Sequence, residues 1–347
     1  MLGFASPTQF DSIIGWVNYP KISRSHEGHT AYGSSKKKMN RFTINSQGYR
    51  SEEVDHNKKH ILILGDSVAY GSHVDDHETL PHYLNSYYKN YQVINLGVPG
   101  YGIGQAYLLL KRHIKKLNPK MIVFVIYTGN DFFNTRKDTY YRLKKPLFGY
   151  NSNAIPKNKP FPQKPVSIDI KNLSLINDPL SFFPCGIIYH LSLIPKSSSF
   201  FNQLRERTCK TKQTSSLTNE YVILSLLRGM ELLAKKEGSK IFFIISPSKT
   251  DFDADEKKAI KKWALMELKE KKATFAAYKH MKDKRRMLNF FQQMLRRNSL
   301  PHHDHFKFLK SRNLDTNKIY IDDHHYSSTG NQLLAQTIYN LLDLNDT

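Results

Sequence analysis

The strongest fold signal in the chain is Ile61-Leu62-Ile63-Leu64-Gly65-Asp66-Ser67. Four branched aliphatic residues in a row are typical of a strand buried on both faces of a parallel sheet. Gly65 allows a sharp turn where that strand ends. Because open α/β sheets bind ligands beyond the carboxyl ends of their strands, Ser67 is a candidate nucleophile. Taken alone, the last three residues are also an ordinary turn with a Ser or Asp helix cap.

The C-terminal segment 319–330 supplies candidates for the base and for its orienting group, both of which a nucleophilic serine needs. We expect a short strand at the start of this segment and a helix over 327–342. Asp322 and His325 then fall on the intervening loop, three positions apart, where the carboxylate can reach the imidazole. His324 is a second candidate base. The alternative interpretation is a solvated acidic turn that caps the last helix.

Two further strands end in loops that can donate hydrogen bonds to an oxyanion. Residues 91–96 precede a glycine-rich loop containing Gly100, and residues 121–127 precede Asn130. The backbone N–H groups of Ser67 and Gly100 and the amide side chain of Asn130 can converge on one oxygen. Taken singly, the glycine-rich loop is ordinary loop closure and the turn at Asn130 is an Asx-turn. Together, at successive strand ends, they favour a catalytic site.

These motifs resemble a bacterial family, the SGNH hydrolases, also called GDSL-type esterases and lipases. The resemblance rests on Gly-Asp-Ser, a glycine in an Asn-x-x-x-x-Gly loop, Gly-Asn-Asp and Asp-x-x-His, with Val68 in place of the family's leucine. It implies a three-layer α/β/α doubly wound, flavodoxin-like parallel sheet with a long insertion. It also implies an acyl-enzyme mechanism without a metal or another cofactor. The implied catalytic residues are Ser67, Asp322 and His325, and the implied oxyanion hole comprises Ser67, Gly100 and Asn130.

The sequence leaves three functions open. The first is a serine hydrolase that cleaves carboxylic (O-acyl) esters of a small molecule, a saccharide or a lipid. The second is an O-acyltransferase that uses the same residues and a cell-envelope saccharide as acceptor. The third is a non-catalytic module that binds an acidic polymer. The intact set of site residues favours the two enzymes over the binding module.

We expect one enlarged domain, because 347 residues with 39% hydrophobic content can bury a sizeable core. A lead-in over 1–58 is predicted to pack on a hydrolase domain over 59–347. An insertion over about 132–216, rich in Pro, Asn, Ser and Lys, is predicted to be a partly ordered lid with an apolar anchor within 182–191. A surface excursion without a role is the alternative. A basic helical region covers about 254–312.

The formal net charge of +22 is scattered along the chain rather than concentrated in an arm or a recognition helix. This pattern argues against nucleic-acid binding and leaves attraction to an anionic envelope polymer as the favoured role of the charge. No stretch is long enough for a membrane helix, and the N-terminus lacks the features of a signal peptide. We therefore expect a cytoplasmic protein from the chain as given, or a periplasmic or envelope-associated one if its start is truncated.

Cysteines and histidines add no metal or disulfide prediction. Cys185 and Cys209 are too few for a disulfide framework in a chain of this length. His302, His303 and His305 have a spacing that suits a metal, but only one acidic residue and no cysteine accompany them. We interpret these histidines as part of a solvated loop.

Overall fold

A computed structural model describes residues 8–30, 32–140, 143–151, 169–175, 203, 216–252, 287–322 and 324–342. Its strands are β1 Thr8–Asp11, β2 Gly15–Asn18, β3 Ile22–His29, β4 Lys37–Ile44, β5 Lys59–Leu64, β6 Tyr91–Asn95, β7 Pro119–Tyr127, β8 Thr139–Tyr140, β9 Leu143–Lys144, β10 Phe148–Tyr150, β11 Leu173–Leu175, β12 Lys240–Ser246 and β13 His302–Asp304. Its helices are α1 Ser67–Tyr70, α2 Leu80–Tyr87, α3 Ile103–Leu117, α4 Asp131–Thr135, α5 Ser216–Lys236, α6 287–297, α7 His305–Ser311, α8 Thr316–Ile319 and α9 Ser328–Leu341.

The central sheet has five strands, all parallel, in the order β13-β12-β7-β5-β6. Numbered by their order in the chain and read from the β6 edge, the five strands run 2-1-3-4-5 across the sheet. That is the flavodoxin-like order, and its topological switch point lies between β5 and β7. The predicted α/β fold class is therefore confirmed.

Helices cover both faces of this sheet. Successive residues of β5 alternate between the faces, so Ile61 and Ile63 pack with α2 and α9, whereas Leu62 and Leu64 pack with α3 and α5. Because both faces are covered, all four side chains are almost completely buried. This double burial explains why the strand is a continuous apolar run rather than an alternating one.

Gly65 is the residue that lets the chain leave β5 directly into α1. Its φ of 149° lies in the region that favours glycine. A Cβ atom at this position would come within 2.8 Å of the Val125 carbonyl oxygen and of the Ala69 Cβ. The close approach to β7 sets the first residue of α1 at the switch point of the sheet.

The β1–β2 hairpin of the lead-in supports the loop that follows β6. Trp16 donates its indole N–H to the Pro99 carbonyl at 3.1 Å, and the Tyr101 hydroxyl donates to the Trp16 carbonyl at 2.6 Å. Asn18 donates its side-chain amide to the Gly97 carbonyl at 3.2 Å. These contacts tie the lead-in to the glycine-rich loop, while its boundary at residue 58 stays a prediction.

The described part of the predicted insertion packs on the face of the sheet that α3 and α5 cover. The Phe148 ring would lie only 2.8 Å from a Cβ atom at Gly104, and Tyr150 packs on Tyr221 at 5.5 Å between ring centroids. Lys145 is completely buried and donates to the Asn134 carbonyl. The predicted apolar anchor within 182–191 lies outside the described residues, and the lid stays a prediction. Two further predicted features, Cys185 with Cys209 and residues 254–286 of the basic region, also lie outside them.

The interpretation of the three histidines as a solvated loop is wrong. His302 and His303 belong to β13, which pairs in parallel with β12 at the edge of the sheet. His305 begins α7, is completely buried, and lies 3.2 Å from the Thr337 hydroxyl through its Nδ1. A single short edge strand gives too little apolar alternation for a sequence pattern to reveal it. In the part of the chain that the structure describes, no helix is long and apolar enough to cross a bilayer.

Candidate active site

Ser67 is the first residue of α1, immediately beyond the carboxyl end of β5. Asp66 caps this helix, because its Oδ1 accepts the backbone N–H of Val68 at 2.9 Å. The Ser67 side chain is largely buried. The apolar strand, the glycine turn and the aspartate cap together fix this serine at the switch point, the position at which such sheets bind ligands.

His325 and Asp322 lie in one hydrogen-bonded line with Ser67. The His325 Nε2 is 3.0 Å from the Ser67 Oγ, and its Nδ1 is 2.8 Å from the Asp322 Oδ2. The line joins residues 258 positions apart in the sequence. A serine, an imidazole and a carboxylate in this sequence of contacts have the geometry of a nucleophile, its base and an orienting group.

The loop that carries His325 is held at both of its ends. Tyr320 and Tyr326 form an isolated antiparallel bridge, and Ser327 caps α9 by accepting the Gly330 N–H at 3.2 Å. The Tyr326 hydroxyl lies 2.9 Å from the Ser246 Oγ at the end of β12. The short strand predicted at the start of the segment is wrong, because Thr316–Ile319 forms α8 and only the bridge follows it.

Asp322 uses its two carboxylate oxygens for different contacts. Its Oδ1 accepts the backbone N–H groups of His324 and His325, both at 2.6 Å, while its Oδ2 contacts the His325 ring. Partial burial by itself would raise the pKa of Asp322. The hydrogen bond and the charge of His325, together with the two backbone N–H groups, outweigh burial and lower this pKa below its ordinary value. Asp322 is therefore an ionised carboxylate at neutral pH.

His324, the second candidate base, lies away from the serine. Its Nδ1 is 3.0 Å from the Tyr127 hydroxyl at the carboxyl end of β7. Tyr127 is completely buried, and burial raises the pKa of this phenol well above its ordinary value. A neutral phenol can donate a hydrogen bond to the ring. Of the two neighbouring histidines, only His325 contacts Ser67 among the described residues.

The predicted oxyanion donors sit in two loops beside this line. Gly100 has a φ of 80° in the turn 98–101, which closes from the Tyr101 N–H to the Val98 carbonyl at 3.2 Å. The same turn is tied to β5, since the Val98 N–H donates to the Gly65 carbonyl at 3.2 Å. Asn130 precedes α4 at the end of β7. All three predicted donors thus belong to strand ends at the switch point.

Asn130 also contacts Asp66. Burial raises the pKa of Asp66, and hydrogen bonds from Val68 and Asn130 oppose that increase. Among the described residues, the Asn130 Oδ1 is a buried atom without a hydrogen-bond partner. Buried polar atoms are usually paired, so this side-chain amide has spare hydrogen-bonding capacity inside the site.

His73 is a site residue that sequence reasoning missed. Its ring lies edge-on against that of His325, with 4.8 Å between centroids and 65° between planes. Its Nε2 is 3.9 Å from the Asp322 Oδ2. Burial, followed by the charge of His325, lowers the pKa of His73 to about 4 despite the opposing effect of Asp322. No motif marks this histidine, because it reaches the site through the fold alone.

The structure is similar to solved structures of esterases and lipolytic proteins. One, described as lipolytic and of the G-D-S-L family, from Desulfitobacterium hafniense, is 10% identical and covers 82% of this chain and 100% of its own, with a TM-score of 0.40. A lipase/acylhydrolase from Enterococcus faecalis is 13% identical and covers 82% of this chain and 94% of its own, with a TM-score of 0.39. An acetylxylan esterase from Geobacillus stearothermophilus is 10% identical and covers 81% of this chain and 93% of its own, with a TM-score of 0.41.

The structure from Desulfitobacterium hafniense is described by the same G-D-S-L name as the family that the sequence motifs resemble. No protein-family model and no curated protein sequence matches the chain. At these identities and TM-scores, the likeness carries no argument about activity.

Proposed function

We propose that the chain is a serine hydrolase that cleaves carboxylic (O-acyl) esters through an acyl-enzyme on Ser67. The observation that carries this proposal is the line of contacts from Asp322 through His325 to Ser67, at 2.8 and 3.0 Å. A hydroxyl, an imidazole and an ionised carboxylate in contact form a unit that makes serine nucleophilic at neutral pH.

In the first step, the Ser67 Oγ attacks the acyl carbon while the His325 Nε2 takes the hydroxyl proton. Asp322 holds the proton on the His325 Nδ1, which leaves Nε2 free to act as the base and stabilises the imidazolium that forms. The imidazolium then gives its proton to the leaving alkoxide. In the second step, His325 removes a proton from water, which attacks the acyl carbon, and the imidazolium returns that proton to the Ser67 Oγ as the acid is released.

The backbone N–H groups of Ser67 and Gly100 and the Asn130 side chain are the proposed oxyanion donors. The carboxylate of Asp66 competes for the Asn130 amide N–H group. If the amide turns over, its N–H faces the substrate and its oxygen faces Asp66, which can donate a hydrogen bond to that oxygen only in its protonated form.

The test combines covalent labelling with ester hydrolysis in the full chain. A fluorophosphonate probe and p-nitrophenyl esters from acetate to decanoate are applied to the wild type, to Ser67→Ala and to Ser72→Ala. Ser72 is a buried serine of the same segment and serves as the matched control. We expect Ser67→Ala to abolish labelling and to lower turnover by about 10⁴-fold or more, with Ser72→Ala close to the wild type.

Each outcome has a defined meaning. Hydrolysis that survives unchanged in Ser67→Ala would overturn the assignment of the nucleophile. Fluorophosphonate labelling together with ester turnover that requires an added alcohol or saccharide acceptor would favour the acyltransferase. A folded wild-type protein that neither labels nor cleaves any ester would favour the non-catalytic binding module.

A further inference from the structure

His73, Asp322 and His325 form a compact group of metal-binding side chains at the active site. One ligand atom from each residue can be chosen so that all three lie within 4.8 Å of one another, and among the described residues this is the one group of its kind. We propose that this group binds Zn²⁺ or a similar divalent metal ion, and that a bound ion inhibits ester hydrolysis by Ser67. The inhibitory part of this inference rests on the proposed function.

The donor atoms suit zinc. Two imidazole nitrogens and one carboxylate oxygen are ligands that Zn²⁺ prefers, whereas Ca²⁺ and Mg²⁺ prefer oxygen alone. Around a tetrahedral zinc ion, donor atoms lie about 3.3 Å apart. The Asp322 Oδ2 is 2.8 Å from the His325 Nδ1 and 3.9 Å from the His73 Nε2. All three donor atoms lie within 4.8 Å of one another, so shifts of up to about 1.5 Å bring three of the four ligands into place, and water supplies the fourth.

His73 is held in place by the lead-in rather than by its own helix or strand. Its φ of 70° lies in the left-handed region, which a residue with a side chain seldom adopts. Asn40 of β4 donates to the His73 carbonyl at 3.0 Å. The Arg50 guanidinium donates to the Gly71 and Val74 carbonyls on either side. An uncommon backbone conformation that its surroundings maintain is typical of a functional position.

The ring of His73 remains reachable from solvent. A third of its side chain is exposed, as is 41% of the Asp322 side chain, whereas His325 is more buried at 16%. An ion can therefore meet His73 and Asp322 first and then engage the His325 Nδ1. Entry through Nδ1 leaves the 3.0 Å contact between Nε2 and Ser67 in place.

Inhibition follows from the position of one proton on His325. In the proposed resting state the proton is on Nδ1, which donates to Asp322, and Nε2 carries the lone pair that deprotonates Ser67. A metal ion on Nδ1 uses the lone pair of that atom, so the proton of the neutral ring must be on Nε2. The Nε2–H group then donates to Ser67 and cannot act as a base. The ring keeps one proton throughout. This proton moves from Nδ1 to Nε2, and the metal ion takes its place on Nδ1.

The test compares His73→Asn with His77→Asn in the full chain after removal of bound metal with a chelator. Asparagine tolerates the left-handed conformation, which limits the risk of misfolding, and thermal melting checks the fold. His77 lies four residues further on, is 71% exposed and is the matched control. Calorimetric titration with Zn²⁺ and the visible absorption of Co²⁺ measure binding without reference to activity. Hydrolysis of a p-nitrophenyl ester with and without Zn²⁺ measures inhibition.

We expect the wild type and His77→Asn to bind zinc and to lose ester hydrolysis as the site fills. His73→Asn should bind zinc at least about tenfold more weakly and resist inhibition by the same factor. Equal zinc affinity in His73→Asn and the wild type, or an absence of binding in both, would overturn the proposal. If no form cleaves any ester even with the chelator, the proposed function fails, and the two binding measurements still decide on the metal site.

Discussion

Replacing Arg50 should destabilise the protein strongly, because this buried guanidinium holds together the segment that follows Ser67. It donates to four backbone carbonyls, those of Arg41, Tyr70, Gly71 and Val74, at distances from 2.5 to 3.3 Å. It also forms an ion pair with Asp76 at 3.0 Å, and only 2% of the Arg50 side chain is exposed. No other described side chain joins the lead-in to this segment through as many carbonyls.

The magnitude follows from the contacts that Arg50→Met would leave unmade. A buried carbonyl without a donor costs about 1–3 kcal/mol, and the two short bonds, to Gly71 and Val74, count fully. The two bonds of 3.3 Å count little, and Asp76 is a third exposed, so water can solvate it. Methionine regains some apolar packing and removes a buried charge. We therefore expect a loss of about 3 kcal/mol in the free energy of unfolding.

Urea unfolding provides the assay, with tryptophan fluorescence and circular dichroism recorded together so that coincident curves establish a two-state transition. Arg41→Met is the matched control, because Arg41 lies on the exposed face of β4 and its side chain contacts, among the described residues, only Ser23. The control should change stability by less than about 0.5 kcal/mol. Arg50→Lys should recover under half of the loss, since an ammonium cannot serve carbonyls in several directions. A loss below about 1 kcal/mol in Arg50→Met would refute the reasoning.

Three further predictions concern the site and the core. Asp322→Asn should lower kcat/KM by about 10⁴-fold with little change in melting temperature, and activity within tenfold of the wild type would contradict the orienting role. His325→Gln should lose at least about 10³-fold in kcat, but His324→Gln less than about tenfold, and the reverse order would make His324 the base. Burial lowers the pKa of His305 from 6.5 to about 3, so the unfolded chain binds more protons between these values and stability rises with pH there. His305→Asn should flatten the pH dependence of the urea-unfolding free energy by up to about 1.4 kcal/mol per pH unit, and an unchanged slope would show that His305 is not neutral in the fold.

The ends of β5, β6 and β7 could be predicted from the sequence because their signal is local. Residues 61–64 are apolar at every position, and a glycine follows, so both the strand and its turn are apparent. The helix Ser328–Leu341 has apolar residues at helical spacing and a serine cap before it. Right-handed crossovers between parallel strands then bring the strand ends to one edge of the sheet.

What could not be predicted depends on contacts between distant parts of the chain. His73 reaches His325 across 252 positions, because the lead-in holds an otherwise irregular segment over the carboxyl edge of the sheet. Residues 302–304 form a strand only because β12 offers a free parallel edge, since their own sequence is polar. Neither the polar edge strand nor the irregular segment has a periodic pattern, so only the assembled fold reveals them.

The choice between the two neighbouring histidines shows how backbone geometry completes a sequence motif. Asp322 can reach either ring by length alone. Its Oδ1, however, accepts the N–H groups of both histidines, and the Ile321 N–H donates to the His325 carbonyl at 2.9 Å, which closes the turn. The closed turn places the His325 ring against the Asp322 Oδ2 and leaves the His324 ring against Tyr127. The Asp-x-x-His spacing therefore reflects the closure of one turn, in which a single carboxylate fixes the loop with one oxygen and the imidazole with the other.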